Sequence, residues 1–212
     1  LLSIIVPCYN EGESIKYTYQ EIKKVLNNIK IQHEIIFIND GSKDNTLQIL
    51  KNIGQNDKSV KYISFSRNFG KEAGMLAGLE YITGDCVVIM DADLQHPPEL
   101  IPEMIKYYKE GYDQVIAKRN RKGDNKYRTW ATKLYYKLVN KLIDVELVDG
   151  VGDFRLLSRK AVDSILAMKE YNRFSKGIFS WIGFKQKTIQ YENQSRVAGE
   201  TKWSLKSLLS YG

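Results

Sequence analysis

The stretch Val87-Val88-Ile89-Met90-Asp91-Ala92-Asp93 decides the fold, because four successive apolar residues end on two acids. A short continuous apolar run is typical of a parallel strand that is buried on both faces. Ligands of open α/β sheets collect at the carboxyl ends of such strands. If the chain stays extended to Asp93, the two carboxylates point the same way, about 6–7 Å apart along the backbone. The stretch therefore predicts a buried strand that ends at a ligand site.

Asp91 and Asp93 are candidate ligands of a divalent metal ion, because two like charges this close repel unless a cation or a proton lies between them. Hard oxygen ligands suit Mg²⁺ or Mn²⁺, and Mg²⁺ usually takes one or two protein carboxylates together with water and substrate phosphate. The alternative is that acids at a strand end cap the next turn or helix. His96 is a weaker candidate for a third ligand, since an isolated histidine is a weak signal.

Apolar runs alternate with helical spacing along the first half of the chain. The pattern predicts strands at 1–7, 33–38, 60–65, 86–90 and 114–117, helices at 13–28, 46–53, 71–81 and 98–110, and a later strand at 187–191. A strand, a helix and a second strand make a βαβ unit, which almost always has parallel strands. The sequence therefore predicts an α/β fold with a mostly parallel sheet flanked by helices.

Acidic loops follow the first, second and fourth predicted strands, whereas the glycine-rich nucleotide motifs G-x-G-x-x-G and G-x-x-x-x-G-K-[ST] are absent from the sequence. In a doubly wound sheet these loops meet at one rim. There Asp40 would accept hydrogen bonds from a base or ribose, and Tyr9 would stack on the base. Alternatively, Asp40 forms a turn before a helix that Ser42 or Asp44 caps.

Composition indicates one domain with one substantial core, because 43% of the 212 residues are hydrophobic. No run of about 18 apolar residues occurs, so we expect no segment of this sequence to span a bilayer. Cys8 and Cys86 form no C-x-x-C pair and lie in or beside predicted strands. We expect both to be small buried side chains in a reducing compartment. The chain begins without a methionine and ends within an amphipathic stretch, so we expect it to be a piece of a longer protein.

The net charge of +7 is concentrated in the second half. Residues 1–100 have 10 basic and 13 acidic side chains, whereas residues 101–212 have 22 and 12. This asymmetry indicates nucleic acid, phosphate groups or an anionic membrane surface as partner, unless the basic face is merely solvated. Residues 127–143 combine helical spacing, Trp130 and a lysine stripe. That pattern is typical of a helix in a membrane interface, and also of a core helix with exposed lysine ends.

Three further segments carry candidate functional residues. Arg67 and Lys71 lie beside a glycine turn near the predicted rim, where they either contact phosphate or are exposed. Asp153 is the single acid of a short, glycine-containing apolar segment, and an acid there is costly unless it binds or reacts with something. Residues 196–203 are polar and glycine-hinged, which favours a loop that folds over a bound phosphate.

Five ordered motifs resemble those of the polyisoprenyl-phosphate glycosyltransferases, which are inverting family 2 glycosyltransferases. They are Pro7–Glu11, Asn39–Asp44, Asp91–Glu99, Gly152–Leu156 and Arg196–Trp203. The resemblance covers nearly the whole chain and implies a GT-A fold. It also implies transfer of a sugar from a nucleoside diphosphate sugar, of the UDP-glucose or GDP-mannose type, to a polyisoprenyl phosphate. The reaction would use Mg²⁺ or Mn²⁺ at the cytoplasmic face of the cell membrane.

The resemblance also implies roles for individual residues. Asp93 and Asp153 would be the catalytic carboxylates, with Asp91 and Asp93 holding the metal. The nucleotide would be bound by Pro7, Tyr9, Glu11, Asp40 and Asp91, and phosphate by Gln95, Arg119, Arg128, Arg196 and Lys202. Asp153 would orient the acceptor or take a residual proton.

The resemblance divides the single domain into a nucleotide-binding half, 1–118, and an acceptor- and membrane-facing half, 119–212, with amphipathic interface helices. It leads us to expect transmembrane helices after residue 212 and an anionic membrane surface, rather than nucleic acid, as partner. Two other functions stay open: a family 2 glycosyltransferase with a glycan acceptor, and a non-catalytic module that binds membrane or nucleic acid. The sugar, the base and assembly into a homo-oligomer also stay open.

Overall fold

The computed structural model describes residues 1–120, 151–168 and 174–192, and these form an α/β sandwich of three layers. The strands are β1 (Leu2–Cys8), β2 (His33–Asn39), β3 (Val60–Ser64), β4 (Cys86–Ile89), β5 (Gln114–Arg119), β6 (Val151–Ser158) and β7 (Gln186–Tyr191). The helices are α1 (Ile15–Ile29), α2 (Thr46–Asn56), α3 (Lys71–Tyr81), α4 (Ile101–Lys109), α5 (Arg159–Ala167) and α6 (Ser175–Trp181), with a 3₁₀ turn at Pro98–Leu100.

The seven strands form one sheet in the order β3-β2-β1-β4-β6-β5-β7. Strand β6 runs antiparallel to both of its neighbours, whereas the other pairs are parallel. The prediction of a mostly parallel sheet is therefore confirmed. The sequence pattern did not show that β6 is inserted between β4 and β5. That insertion places Asp153 beside the end of β4, where the candidate site lies.

Strand β4 is buried on both faces, as its continuous apolar run predicts. Val88 packs into the core beneath α1, α2 and α4, whereas Val87 and Ile89 pack into the core beneath α3, α5 and α6. Successive side chains of a strand point to opposite faces, so a strand between two helical layers has apolar residues at every position. Among the described helices, none is long and apolar enough to cross a membrane.

The chain turns sooner after β4 than we expected. The strand ends at Ile89, and Leu94 has a φ of +57°, which a non-glycine residue rarely adopts. The condition under which the two carboxylates would point the same way, an extended backbone up to Asp93, is therefore not met. The reason is the tight turn that begins at Ala92 and leads into the rigid Pro97-Pro98 segment.

Other predictions have mixed outcomes. Cys8 and Cys86 are both free and buried, as expected, and burial raises the pKa of Cys86 to about 11. The predicted amphipathic helix at 127–143 and the predicted phosphate loop at 196–203 lie outside the described residues, so both stay predictions.

Candidate active site

The loops that follow β1 and β2 meet at the carboxyl edge of the sheet, as the sequence predicts. The backbone N–H of Asn10 donates to the Ser42 hydroxyl at 2.9 Å, and that of Glu11 donates to the Thr46 hydroxyl at 2.8 Å. These loops lie next to the end of β4, because β1 pairs with β2 on one side and with β4 on the other. This is the point where the strand order reverses, which is where open α/β sheets bind their ligands.

Asp40 fixes the loop between β3 and α3. Its side chain is buried, and its two carboxylate oxygens accept the backbone N–H groups of Phe69 at 2.7 Å and of Gly70 at 2.9 Å. Gly41 packs closely against the same loop, since a Cβ at this position would lie 2.3 Å from the backbone carbonyl carbon of Arg67. Asp40 therefore has a structural task that the sequence did not indicate. A carboxylate has about four lone-pair sites, so its predicted contact with the nucleoside stays a prediction.

Lys71, the first residue of α3, joins two acids from different strands. Its ammonium nitrogen lies 2.5 Å from Asp91 Oδ1 and 2.7 Å from Asp153 Oδ2. Asp91 follows β4 and Asp153 belongs to β6, so this contact requires the insertion of β6 beside β4. The sequence placed Lys71 near the rim but did not show that it lies between the two carboxylates.

The charges of this trio stabilise one another. Burial favours the neutral amine, but the charges of Asp91 and Asp153 outweigh it and raise the pKa of Lys71 above its ordinary value. Burial likewise favours the protonated acid at Asp153, yet Lys71 outweighs it and lowers the pKa of that carboxyl. Asp153 is therefore ionised at neutral pH, as an orienting group or a weak base has to be.

The turn after β4 is held by short contacts. The Thr18 hydroxyl of α1 donates to the carbonyl oxygen of Ala92 at 2.6 Å, and the backbone N–H of Gln95 donates to Asp93 Oδ1 at 3.1 Å. Asp93 is 9% exposed. Asp93 therefore also caps a turn through Oδ1, which is the alternative that the sequence left open. A carboxylate has about four lone-pair sites, so the predicted role of Asp93 as a metal ligand stays a prediction.

His96 contacts the backbone at Asp91, just before the turn. Its Nδ1 accepts the backbone N–H of Asp91 at 3.1 Å, and its ring stacks on Phe154 at a centroid distance of 4.9 Å and meets Tyr191 edge-on at 6.4 Å. Burial lowers the pKa of His96, which keeps the ring neutral and Nδ1 able to accept. His96 therefore positions Asp91, and the hydrogen bond at Nδ1 argues against this nitrogen as a third metal ligand.

The donor set fits a hard divalent ion. Asp91 and Asp93 supply carboxylate oxygens at the point where β4 ends, and no group of three histidine, cysteine, aspartate or glutamate side chains able to hold a metal ion occurs within 1–120, 151–168 and 174–192. One or two carboxylates are what Mg²⁺ takes when substrate phosphate completes its shell. The residues present therefore suit a metal that binds together with a diphosphate.

The remaining predicted residues are placed as follows. Pro7 lies near the end of β1, beyond the last β1 residue paired with β4, so its missing N–H leaves no gap in that ladder. Arg119 ends β5 and pairs in register with Tyr191 of β7, at the same edge of the sheet. Tyr9 and Glu11 lie in the loop after β1 and are partly buried. Three predicted phosphate-binding cations, Arg128, Arg196 and Lys202, lie outside the described residues.

Two residues near the site escaped the sequence analysis. Arg155 is 2% exposed, donates to the carbonyl oxygen of Gly152 at 2.7 Å and lies over the Phe179 ring at 3.9 Å. Glu72, next to Lys71, accepts hydrogen bonds from the hydroxyl and the backbone N–H of Ser175 and so fixes the start of α6. Their sequence signal is weak, because an arginine in a strand and a glutamate in a helix are common on surfaces.

Comparison with known proteins gives consistent results. The sequence profile of glycosyl transferase family 2 matches residues 3–166. The protein CsbB of Bacillus subtilis (strain 168), described as a glycosyltransferase, is 58% identical over 212 residues, and the chain spans 64% of its length. A prophage bactoprenol glucosyl transferase homolog of Escherichia coli (strain K12) is 41% identical over 215 residues, which cover all of this chain and 70% of that protein.

Solved structures share the fold at lower identity. Glucosyl-3-phosphoglycerate synthase from Mycobacterium tuberculosis, crystallised with Mn²⁺ and UDP-glucose, superposes with a TM-score of 0.63 at 20% identity. The superposition covers 99% of this chain and 74% of that one. The match confirms the GT-A-like architecture that the five motifs imply.

Proposed function

Because this chain belongs to glycosyl transferase family 2, we propose that it transfers a hexose from a nucleoside diphosphate sugar to a polyisoprenyl phosphate. The name of the Escherichia coli relative supports a bactoprenol phosphate acceptor and glucose as the sugar. The UDP-glucose in the mycobacterial synthase supports a UDP-linked donor over a GDP-linked one. We further propose that the reaction occurs at the cytoplasmic face of the membrane.

The observation on which this proposal rests is that Lys71 brings Asp91 and Asp153 together at one edge of the sheet. One acid follows a strand in the donor-binding half, and the other lies in the strand inserted beside it. Such a pair is what a sugar transfer needs, because donor diphosphate and acceptor phosphate must meet at one carbon atom. Transition-state stabilisation is then mainly electrostatic and positional.

Asp91 and Asp93 would hold Mg²⁺ or Mn²⁺, which would offset the charge that develops on the departing diphosphate. The complex of the mycobacterial synthase with Mn²⁺ supports this use of a metal. Gln95, two residues after Asp93, would contact the diphosphate. The nucleoside would lie against Pro7, Tyr9, Glu11 and Asp40 in the loops after β1 and β2.

Asp153 would orient the acceptor rather than activate it strongly. A phosphate monoester has a second pKa of about 6, so it is largely ionised at neutral pH and needs no strong base. Arg119, at the end of β5, would bind a phosphate group. Arg128, Arg196 and Lys202 would add to this positive surface, and the whole half 119–212 would face the acceptor and an anionic membrane.

The test of the metal site uses Asp93→Asn, which removes a charge and keeps the shape of the side chain. We expect metal-dependent transfer from UDP-glucose to fall at least about 100-fold, because one charge opposite the leaving diphosphate is lost. Asp163→Asn, an exposed substitution on α5, is the matched control and should leave transfer unchanged. Undiminished activity of Asp93→Asn at low Mn²⁺ would refute the assignment.

A second experiment separates the candidate acceptors. One labelled donor is offered with undecaprenyl phosphate, with an oligosaccharide or with no acceptor. Label recovered only in the lipid phase supports the proposal, and label recovered only in the oligosaccharide supports a glycan acceptor. A protein that binds no sugar nucleotide in the presence of Mn²⁺ would instead be a non-catalytic binding module.

Membrane association is tested by flotation with vesicles. Because the basic residues are concentrated in the second half, we expect binding to vesicles with anionic lipid that weakens as salt rises. Equal binding to neutral vesicles would contradict an electrostatic contribution.

A further inference from the structure

Lys71 holds a fixed position at the centre of the site. It is the first residue of α3, and the residue before it, Gly70, has a φ of +96° and donates its backbone N–H to Asp40. The start of the helix is therefore fixed on a buried carboxylate. From this start the Lys71 ammonium reaches Asp91 Oδ1 at 2.5 Å and Asp153 Oδ2 at 2.7 Å.

The contact between Lys71 and Asp91 engages Oδ1 of a carboxylate that we propose as a metal ligand. The other oxygen of Asp91, Oδ2, lies 3.8 Å from His96 Nδ1, and that nitrogen already accepts the Asp91 backbone N–H. An ammonium and a divalent ion that share one carboxylate repel each other, because both are cations and the repulsion grows as they approach. Binding of the metal at Asp91 therefore opposes the bond from Lys71.

The contact between Lys71 and Asp153 does not compete with the proposed metal ion. Asp153 belongs to β6. In that strand, Leu156 and Arg155 pair with Val88 and Ile89 of β4. Its carboxylate does not belong to the turn that contains Asp91 and Asp93. Lys71 can lose Asp91 and keep Asp153 by a rotation of its flexible side chain.

We propose that Lys71 is an internal counter-cation that competes with the divalent ion for Asp91 and remains paired with Asp153 when the ion binds. The inference rests on the proposed function and extends it to a residue outside the motif of the two acids. Lys71 thereby offsets the repulsion between the two carboxylates before the donor binds, and it links arrival of the metal at Asp91 to the position of Asp153. Lys71 is a positioning residue in this account.

The test compares Mn²⁺ binding to the intact protein without donor, measured by calorimetry. Lys71→Gln keeps a hydrogen-bond donor and removes the charge, so we expect it to bind Mn²⁺ about tenfold more tightly than the wild type. Lys71→Arg keeps the charge and should restore the wild-type affinity. Lys51→Gln, an exposed charge removal on α2, should change nothing.

The direction of the change is what distinguishes competition from a structural role. A substitution that merely loosened the site would weaken Mn²⁺ binding. Unchanged or weaker binding by folded Lys71→Gln would therefore overturn the inference. Binding of UDP-glucose by the wild type in the presence of Mn²⁺ is measured separately. If UDP-glucose did not bind, the proposed function would be refuted. The comparison of Mn²⁺ affinities without donor would still decide the role of Lys71.

A measurement on the wild type covers the case in which Lys71→Gln does not fold. Acetic anhydride labels accessible lysines, and mass spectrometry reads the extent at each one. Saturating Mn²⁺ should increase the labelling of Lys71 about threefold, because one of its two carboxylate partners is taken away. Lys51 serves as the internal control. Equal labelling of Lys71 with and without Mn²⁺ would contradict the competition.

Discussion

Replacing Asp40 by asparagine tests whether this residue stabilises the rim before any ligand binds. Both carboxylate oxygens of Asp40 accept backbone N–H groups, from Phe69 at 2.7 Å and from Gly70 at 2.9 Å. Asparagine offers one oxygen and one NH₂ group, so one of the two backbone N–H groups would face another donor. The substitution therefore breaks one of two charge-assisted hydrogen bonds in a site that is 4% exposed.

The expected cost follows from these contacts. A hydrogen bond to a charged group contributes about 1.5–3 kcal/mol, and a buried donor left without an acceptor costs about 1–3 kcal/mol. Because the exposed loop can shift and let water reach the freed N–H, we expect the lower part of this range. Asp40→Asn should lower the free energy of unfolding by about 2 kcal/mol. The start of α3, and with it Lys71, should become less well fixed.

The assay is urea unfolding followed by circular dichroism, with Asp163→Asn as the control. Asp163 is exposed on α5, and its substitution should change stability by less than about 0.5 kcal/mol. If Asp40→Asn were as stable as this control, the structural task of Asp40 would be refuted. UDP binding to the folded variant then measures the predicted nucleoside contact, which contributes to affinity and not to the stability of the free protein.

Three further predictions concern the acceptor side, acid stability and packing. Asp153→Asn should reduce turnover with saturating donor, because Lys71 would lose a partner and the acceptor its orienting charge. Burial acts to raise the pKa of Glu34, but hydrogen bonds from Lys61, Ser3 and Thr83 outweigh it and lower the pKa from 4.5 to about 2, so stability should fall as the pH drops through this window. Gly78→Ala should destabilise the protein by about 1–3 kcal/mol, since a Cβ there would lie 2.7 Å from Ile5.

Each of these predictions has a control and a contradicting result. Near-normal turnover of Asp153→Asn with saturating donor would end its catalytic role. Glu34→Gln should lose about 2 kcal/mol at neutral pH and show a flatter pH dependence between pH 2 and 4.5, and an unchanged acid unfolding profile would contradict the assignment. Gly54→Ala, on α2 with ordinary contacts of 3.6 Å, should be neutral or stabilising, so equal effects at Gly54 and Gly78 would argue against crowding.

The sequence determined most of the secondary structure in the described residues. The predicted helix 71–81 has the observed bounds of α3, and the predicted strands agree with β1 to β5 and β7 to within two residues at each end. The reason is that hydrophobic periodicity is a local property, which needs only the order of apolar and polar residues. The meeting of the acidic loops at one edge also followed from the sequence, because parallel strands end on the same side of a sheet.

The tertiary structure alone decided which charges meet. Nothing in the local pattern shows that β6 runs antiparallel between β4 and β5, because an apolar segment can pair with either neighbour in either direction. That insertion brings Asp153 to Lys71, whose ammonium also contacts Asp91 just after β4. Likewise, Asp40 accepts the backbone N–H groups of Phe69 and Gly70. Every residue except proline has such a group, so the sequence does not indicate which ones Asp40 binds. Residue types and their spacing thus predict a site of this class, whereas the pairing of its charges depends on long-range strand order.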